Sequence, residues 1–197
     1  MEKIILASNN AHKIKEFKEI FKTYEIVPMK EIGFTEEIIE NGTTFEENSK
    51  IKTTAISNFL KRNNLNYMVM ADDSGLCVDA LNGDPGVYSA RYGGSPSDQD
   101  HRDLLLKNLE GKLNRDAKFV CVITLQKPTG ETVVGYGEVP GTILTKETGD
   151  TSFGYDCLFH STELNKCFGV ATAEEKNSVS HRGRAIADLL NKLNMSK

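Results

Sequence analysis

An α/β fold built on a mixed sheet is predicted by three observations. Short apolar runs of strand character alternate with stretches of helical apolar spacing. One pair of β-rich runs is joined by a hairpin turn, which an all-parallel sheet would not contain. The apolar run Tyr67-Met68-Val69-Met70 leads into Ala71-Asp72-Asp73-Ser74-Gly75-Leu76, and acidic groups at a strand end are a common feature of the functional rim of α/β sheets.

The elements follow in order. Lys3-Ile4-Ile5-Leu6-Ala7 is a buried-strand pattern, and after Ser8-Asn9-Asn10 the residues Ile14, Phe17, Ile20 and Phe21 recur at helical spacing, with Ser8 or Asn9 as the expected cap. A second helix is expected from near Thr44, because Phe45, Ile51, Ala55, Ile56, Phe59 and Leu60 make an apolar face that ends at Asn63-Asn64. The acidic strand comes next and is expected to stop in its two carboxylates. Beyond the Gly83-Asp84-Pro85-Gly86 turn and the Gly93-Gly94-Ser95-Pro96 loop, Leu104, Leu105 and Leu109 predict a third helix ending at Gly111. Lys118 to Leu125 and Glu131 to Val139 then form a hairpin across Lys127-Pro128-Thr129-Gly130. Ala185, Ile186, Leu189, Leu190 and Leu193 close the chain as an amphipathic helix.

Composition narrows the class of function. A chain of 197 residues with 39% hydrophobic and 26% charged residues suits one globular domain, 1–197, with a real core. The net charge of -4 argues against a general nucleic-acid binder, which needs a broad basic face. Cys77, Cys121, Cys157 and Cys167 lack the paired spacing of a zinc site or a disulfide framework, and Met1 leads straight into a strand with no export signal, so a reduced, cytoplasmic setting is expected. No segment has the length and apolarity to span a bilayer, so no membrane partner is expected.

Four polar constellations can carry chemistry. Ser8, Asn9, Asn10, Ala11, His12 and Lys13 form a strand-to-helix turn whose free backbone donors and dipole suit a phosphate; the same residues also suit simple helix capping with a solvated lysine. The glycines and the Lys-Ser/Thr ending of a nucleotide P-loop are absent from it. In Thr44-Phe45-Glu46-Glu47-Asn48, Glu47 completes a capping-box pattern and Glu46 can pair with Lys50. Glu47 gains a second role only if it joins Asp73 in holding a hard cation, with Lys52 further along the helix reaching phosphates. Neighbouring strand residues face opposite ways, so one of Asp72 and Asp73 faces the site and takes its partner from another element.

Ser152-Phe153-Gly154-Tyr155-Asp156 sets two aromatics around a glycine that lets a flat ligand approach, with a carboxylate to accept from ring N–H groups; two buried core aromatics in a turn are the alternative. Lys176 and Ser180-His181-Arg182-Gly183-Arg184 cluster donors before the last helix, where a solvated charged face is the competing interpretation. Ser74 and His181 do not make a hydrolase triad, since no Gly-x-Ser-x-Gly elbow is present.

Taken together, Ser8 to Lys13, Phe45 to Asn48, Ala71 to Leu76, Pro85-Gly86-Val87-Tyr88-Ser89-Ala90-Arg91-Tyr92, Ser152 to Asp156 and Ser180 to Gly183 closely resemble the inosine triphosphate pyrophosphatase family, from the first strand to the last helix. The resemblance implies an elongated two-lobed mixed sheet flanked by helices, with the active-site cleft between the lobes. It further implies a magnesium-dependent homodimer that hydrolyses deaminated purine nucleoside triphosphates (ITP, dITP, XTP) to the monophosphate and pyrophosphate. By the resemblance, the phosphate-binding turn falls on Ser8, Asn9, Asn10, Ala11, His12 and Lys13, the metal carboxylates on Glu47 and Asp73, and the proton acceptor on Asp73. Lys52 and Ser74 match further substrate contacts; Phe153, Gly154, Tyr155 and Asp156 match the base-binding segment, and Lys176, His181 and Arg182 the closing basic segment. Cys157 departs from the family, where proline often follows the aspartate.

The chemistry of the residues agrees with that expectation. An acidic chain must gather cations locally to hold a triphosphate, and Lys13, Lys52, Lys176 and Arg182 are sufficient. A donor such as Lys176 or Arg182 favours the six-position carbonyl of hypoxanthine or xanthine over the amino group of adenine. Two other classes are distinguishable. A Maf-like nucleotide pyrophosphatase should lack the Phe153-to-Asp156 and His181-Arg182 motifs, and a non-enzymic nucleotide sensor should lose Glu47 or Asp73.

Overall fold

The computed structural model describes residues Met1–Met195. Its strands are β1 (Lys3–Leu6), β2 (Glu25–Pro28), β3 (Met68–Val78), β4 (Asp116–Gln126), β5 (Thr132–Ile143), β6 (Phe159–Ser161) and β7 (Lys166–Cys167). The helices are α1 (Ala11–Ile20), α2 (Phe45–Arg62), α3 (Asp98–Asn108), α4 (Ala173–Val179) and α5 (His181–Met195). One seven-stranded sheet runs in the order β2-β1-β3-β4-β5-β6-β7. β1 is parallel to both β2 and β3, whereas β6 is antiparallel to β5 and to β7. The expected mixed α/β sheet flanked by helices is therefore present.

Local chemistry explains the boundaries. α2 starts where Thr44 accepts the backbone N–H of Glu47 and the Glu47 carboxylate reaches back to the N-cap, a complete capping box. It stops at Asn63, whose side-chain amide donates to the Phe59 carbonyl. The hairpin between β4 and β5 turns with Gly130 N–H donating to the Lys127 carbonyl at 2.9 Å.

Several expectations needed correction. α1 is capped by Asn10, not by Ser8 or Asn9: Asn10 has extended backbone and accepts from the N–H groups of His12 and Lys13. β3 does not end at its carboxylates but continues through Asp72, Asp73, Ser74 and Gly75 to Val78. Its acidic residues stay in the ladder because cations on neighbouring helices face them. β2, β6, β7 and α4 are elements of at most 7 residues, too short for their periodicity to register.

The backbone divides into two compact units. The first comprises Met1–Asp73, Val122–Tyr136 and the C-terminal segment from Ala185; the second comprises Ser74–Cys121 and Gly137–Arg184. Ile5, Val27, Phe34, Ile56, Leu60 and Val69 pack the core of the first. Leu76, Leu105, Phe119, Val139, Leu158, Phe159 and Phe168 pack the core of the second. Burial of apolar side chains of this size contributes about 1.5–3 kcal/mol each. No helix among the described residues is long and apolar enough to cross a membrane.

Candidate active site

In the first unit, strand alternation separates the two adjacent carboxylates. Asp72 Oδ2 accepts from Lys13 Nζ of α1 at 2.9 Å, whereas Asp73 Oδ2 accepts from Asn48 Nδ2 of α2 at 3.0 Å. Lys52, one turn beyond Asn48, lies 3.8 Å from Asp73 Oδ1 and 2.8 Å from Glu40 Oε2. Asp73 is only 8% exposed. Burial lifts its carboxyl above the ordinary carboxylate value, against the opposing pull of Lys52, the Asn48 donor and Lys13; Glu40 adds to the rise. Burial likewise opposes the charge on Lys52, but the carboxylates of Asp72, Asp73 and Glu40 outweigh it and hold the ammonium above its usual value. The result is a buried carboxylate oriented by a neutral amide, with an ammonium nearby and its pKa displaced upward by burial.

The helix that carries these partners is buried along Asn48, Lys52, Ile56 and Leu60. This stripe repeats every four residues, apolar toward the C-terminus and polar toward the site. Glu47 lies just outside it and is exposed. Its Oε2 accepts from Thr43 N–H at 2.6 Å, Thr43 Oγ1 at 2.9 Å and Thr44 N–H at 3.2 Å. Those Thr43 bonds, backbone first, hold its carboxyl below the usual range. All three bonds fall on Oε2, so capping does not use Oε1. Glu47 and Asp73 both offer hard oxygen donors, and burial makes the Asp73 charge costly unless a cation faces it. The donor chemistry fits magnesium, which takes one or two protein carboxylates and keeps water or phosphate oxygens in its remaining positions. Among the described residues no cluster of three or more His, Cys, Asp or Glu side chains gathers into an all-protein cage.

Asn10 Oδ1 accepts from His12 N–H at 3.0 Å and Lys13 N–H at 3.1 Å, so these two donors cap the helix internally, and Ser8 Oγ accepts from Asn10 N–H. Three backbone N–H groups of this turn, those of Asn10, His12 and Lys13, therefore already donate to side chains within it. Asn9, Ala11 and His12 are exposed.

The second unit carries the aromatic and basic groups. Phe153 and Gly154 are half-buried, and the Lys176 ammonium lies 5.7 Å from the Phe153 ring centroid while pairing with Asp156 Oδ2 at 2.5 Å. Tyr155 is buried, and its hydroxyl donates to the Ser89 carbonyl at 2.8 Å. Phe153 is thus the more accessible of the two aromatics and Tyr155 the buried one. Burial pushes the Tyr155 hydroxyl far above its ordinary value, which keeps it a donor. Arg182 Nη2 donates to Ser74 Oγ at 3.2 Å, and the His181 ring stacks on Phe119 with centroids 5.0 Å apart. Both belong to the first turn of α5 and are buried, so this basic cluster is part of the helix rather than a solvated face before it. Cys157 is also buried, its thiol pushed up to about 11 by desolvation, and it occupies a 3-10 turn that closes with Leu158 N–H on the Tyr155 carbonyl.

Sequence reasoning left Asn48 and Glu40 without a role, although Asn48 bonds Asp73 and Glu40 pairs with Lys52. Extending the apolar stripe of α2 backwards in steps of four from Leu60 reaches Asn48, which was the available signal. For Glu40, in an irregular segment, no periodic signal exists.

The mixed sheet, its flanking helices and the buried charged groups it carries are those of an α/β protein. Residues 4–192 match the Ham1 family, and the chain belongs to that family. It is 46% identical over 199 residues to a Clostridium perfringens protein named dITP/XTP pyrophosphatase, covering 98% of each chain. It is also 46% identical over 187 residues to a Staphylococcus epidermidis protein of the same name, covering 94% of this chain and 93% of the other. The solved structure of the Staphylococcus aureus Ham1 protein superposes with a TM-score of 0.86 at 42% identity, covering 100% of both chains.

Proposed function

We propose that the protein hydrolyses deaminated purine nucleoside triphosphates (ITP, dITP and XTP) to the monophosphate and pyrophosphate, so clearing deaminated purines from the nucleotide pool. The observation that carries this is Asp73. It is a buried carboxylate held by Asn48 Nδ2 at 3.0 Å, with Lys52 3.8 Å away, in a chain whose relatives are named for this reaction.

In this reading Asp73 orients and deprotonates a water for in-line attack on the α-phosphorus, with pyrophosphate leaving. Lys13, Lys52 and the turn from Ser8 through Asn9, Asn10, Ala11 and His12 take the charge of the triphosphate, assisted by Ser74 and Arg182. Glu47 and Asp73 would hold magnesium, which would supply charge neutralisation to the triphosphate. Phe153 stacks on the purine, Gly154 and Tyr155 shape the floor, Lys176 donates to the six-position carbonyl, and His181 belongs to the same basic segment. Asp156, now paired with Lys176, accepts from a ring N–H. We place the enzyme in the cytoplasm as a homodimer.

The test is to incubate purified protein with ITP and magnesium and identify the product. Pyrophosphate with IMP supports the reading. Orthophosphate as the primary product, or no turnover, removes it.

A further inference from the structure

The base-binding segment is held by α3, a helix that the functional reading does not use. Gly154 has φ +53°, a left-handed conformation that favours glycine, and side chains of α3 hold both of its backbone groups. Its N–H donates to Asp98 Oδ2 at 2.8 Å, and its carbonyl accepts from Arg102 Nη1 at 2.9 Å. Arg102 is 3% exposed, and its other donors go to Glu147 Oε1 at 2.6 Å and Gln99 Oε1 at 2.8 Å. Gln99 Nε2 closes the ring by donating to Glu147 Oε1 at 3.0 Å. On the next residue, the Tyr155 ring stacks on His101 of the same helix, 6.4 Å between centroids.

A planar guanidinium whose fork is occupied on three sides has one orientation, so it fixes the carbonyl it donates to. Phe153 and Asp156, the groups that would meet the base, lie one and two residues from that carbonyl. We infer that Arg102, together with Asp98, is a positioning residue that sets the base-binding loop and thereby selectivity among purines. Both act through the Gly154 backbone. This inference rests on the functional reading above and deepens it, since the six-position carbonyl alone does not separate guanine from hypoxanthine. A loop held to a fraction of an ångström can make that distinction, whereas a loose one cannot.

The experiment is steady-state hydrolysis of ITP and GTP by the wild type and by Arg102→Met, Arg102→Lys and Asp98→Ala, with inhibition by pyrophosphate, which has no base, as the control ligand. For Arg102→Met, KM for ITP should rise about tenfold and the preference for ITP over GTP should narrow by a similar factor, the size expected for losing a charge-assisted hydrogen bond. The inhibition constant for pyrophosphate should not move. Arg102→Lys should recover part of the preference, because one donor is restored without the fork. Asp98 is half-exposed, so Asp98→Ala should fold and shift the same two parameters by a smaller factor; it decides the matter if Arg102→Met does not fold. Unchanged KM and preference in the folded variants, or equal weakening of pyrophosphate binding, overturns the inference. A wild-type enzyme that does not hydrolyse ITP overturns the functional reading instead, before any variant is compared.

Discussion

Asn48 joins Asp73 to the loop before α2: its Nδ2 donates to Asp73 Oδ2 at 3.0 Å while its Oδ1 accepts from Gly42 N–H at 2.9 Å. A single buried amide therefore orients the carboxylate and registers the helix start against the preceding chain. Because the amide is neutral, it orients Asp73 at less desolvation cost than a second buried charge would carry.

Replacing Asp73 by Asn tests the proton acceptor without dismantling its surroundings. Burial is the largest influence on Asp73 and disfavours its charge, so a neutral isostere that can still accept from Asn48 should leave the fold as stable as the wild type, or more so, at neutral pH. ITP turnover should fall by at least about a thousandfold, within the range for loss of a general base and an oriented ligand. Product assay and thermal melting together check this; near-normal turnover removes Asp73 from the role.

Glu47 has two roles that separate by substitution. Glutamine can still complete the capping box, because its side-chain oxygen can accept from Thr43 and Thr44, but it carries no charge for a cation. Glu47→Gln should therefore keep the wild-type melting temperature while requiring more magnesium for half-maximal activity. Glu47→Ala should lower both. If the magnesium titration of Glu47→Gln overlays that of the wild type, the residue is a cap only.

The Arg102–Glu147 pair gives a pH-dependent contribution with a definite sign. Arg102, by its hydrogen bond first, holds the Glu147 carboxyl below the ordinary carboxylate value. A carboxyl depressed in the folded state contributes stability above its unfolded pKa and loses it as pH falls through the folded value. The stability gap between wild type and Glu147→Gln should be full at neutral pH and close as pH is lowered below the ordinary carboxylate range. Urea denaturation at a series of pH values measures it, and a gap independent of pH contradicts the assignment.

Gly135 is required where α5 approaches β5. A Cβ at this position would lie 2.3 Å from the Ala185 carbonyl oxygen and 2.8 Å from Leu189 Cβ. Gly135→Ala should cost about 1–3 kcal/mol of stability, the usual range for overpacking, read as a lower denaturant midpoint. Wild-type stability in this variant would show that the helix can shift outward without loss.

Much of this arrangement was legible in the chain because it rests on local rules. The capping box at Thr44 and Glu47, the hairpin across Lys127 to Gly130 and the mixed sheet all follow from spacing of a few residues, and all are present. The motifs of the proposed site could be named one by one for the same reason. Alternation along β3 also required that Asp72 and Asp73 take different partners, as Lys13 and Asn48 show.

Other relationships depend on pairings that no local pattern encodes. Continuation of β3 past its carboxylates is one case: two adjacent acids look like a strand end until Lys13 and Lys52, distant in sequence, face them. Glu40 beside Lys52, Arg102 on the carbonyl of Gly154 and Arg182 on Ser74 are others. By itself the sequence determined where the long helices and the hairpin fall and which chemical groups are available. Tertiary structure alone decided which of those groups are desolvated and which partner each one meets, because burial and Coulomb attraction depend on distance in space and not on distance along the chain.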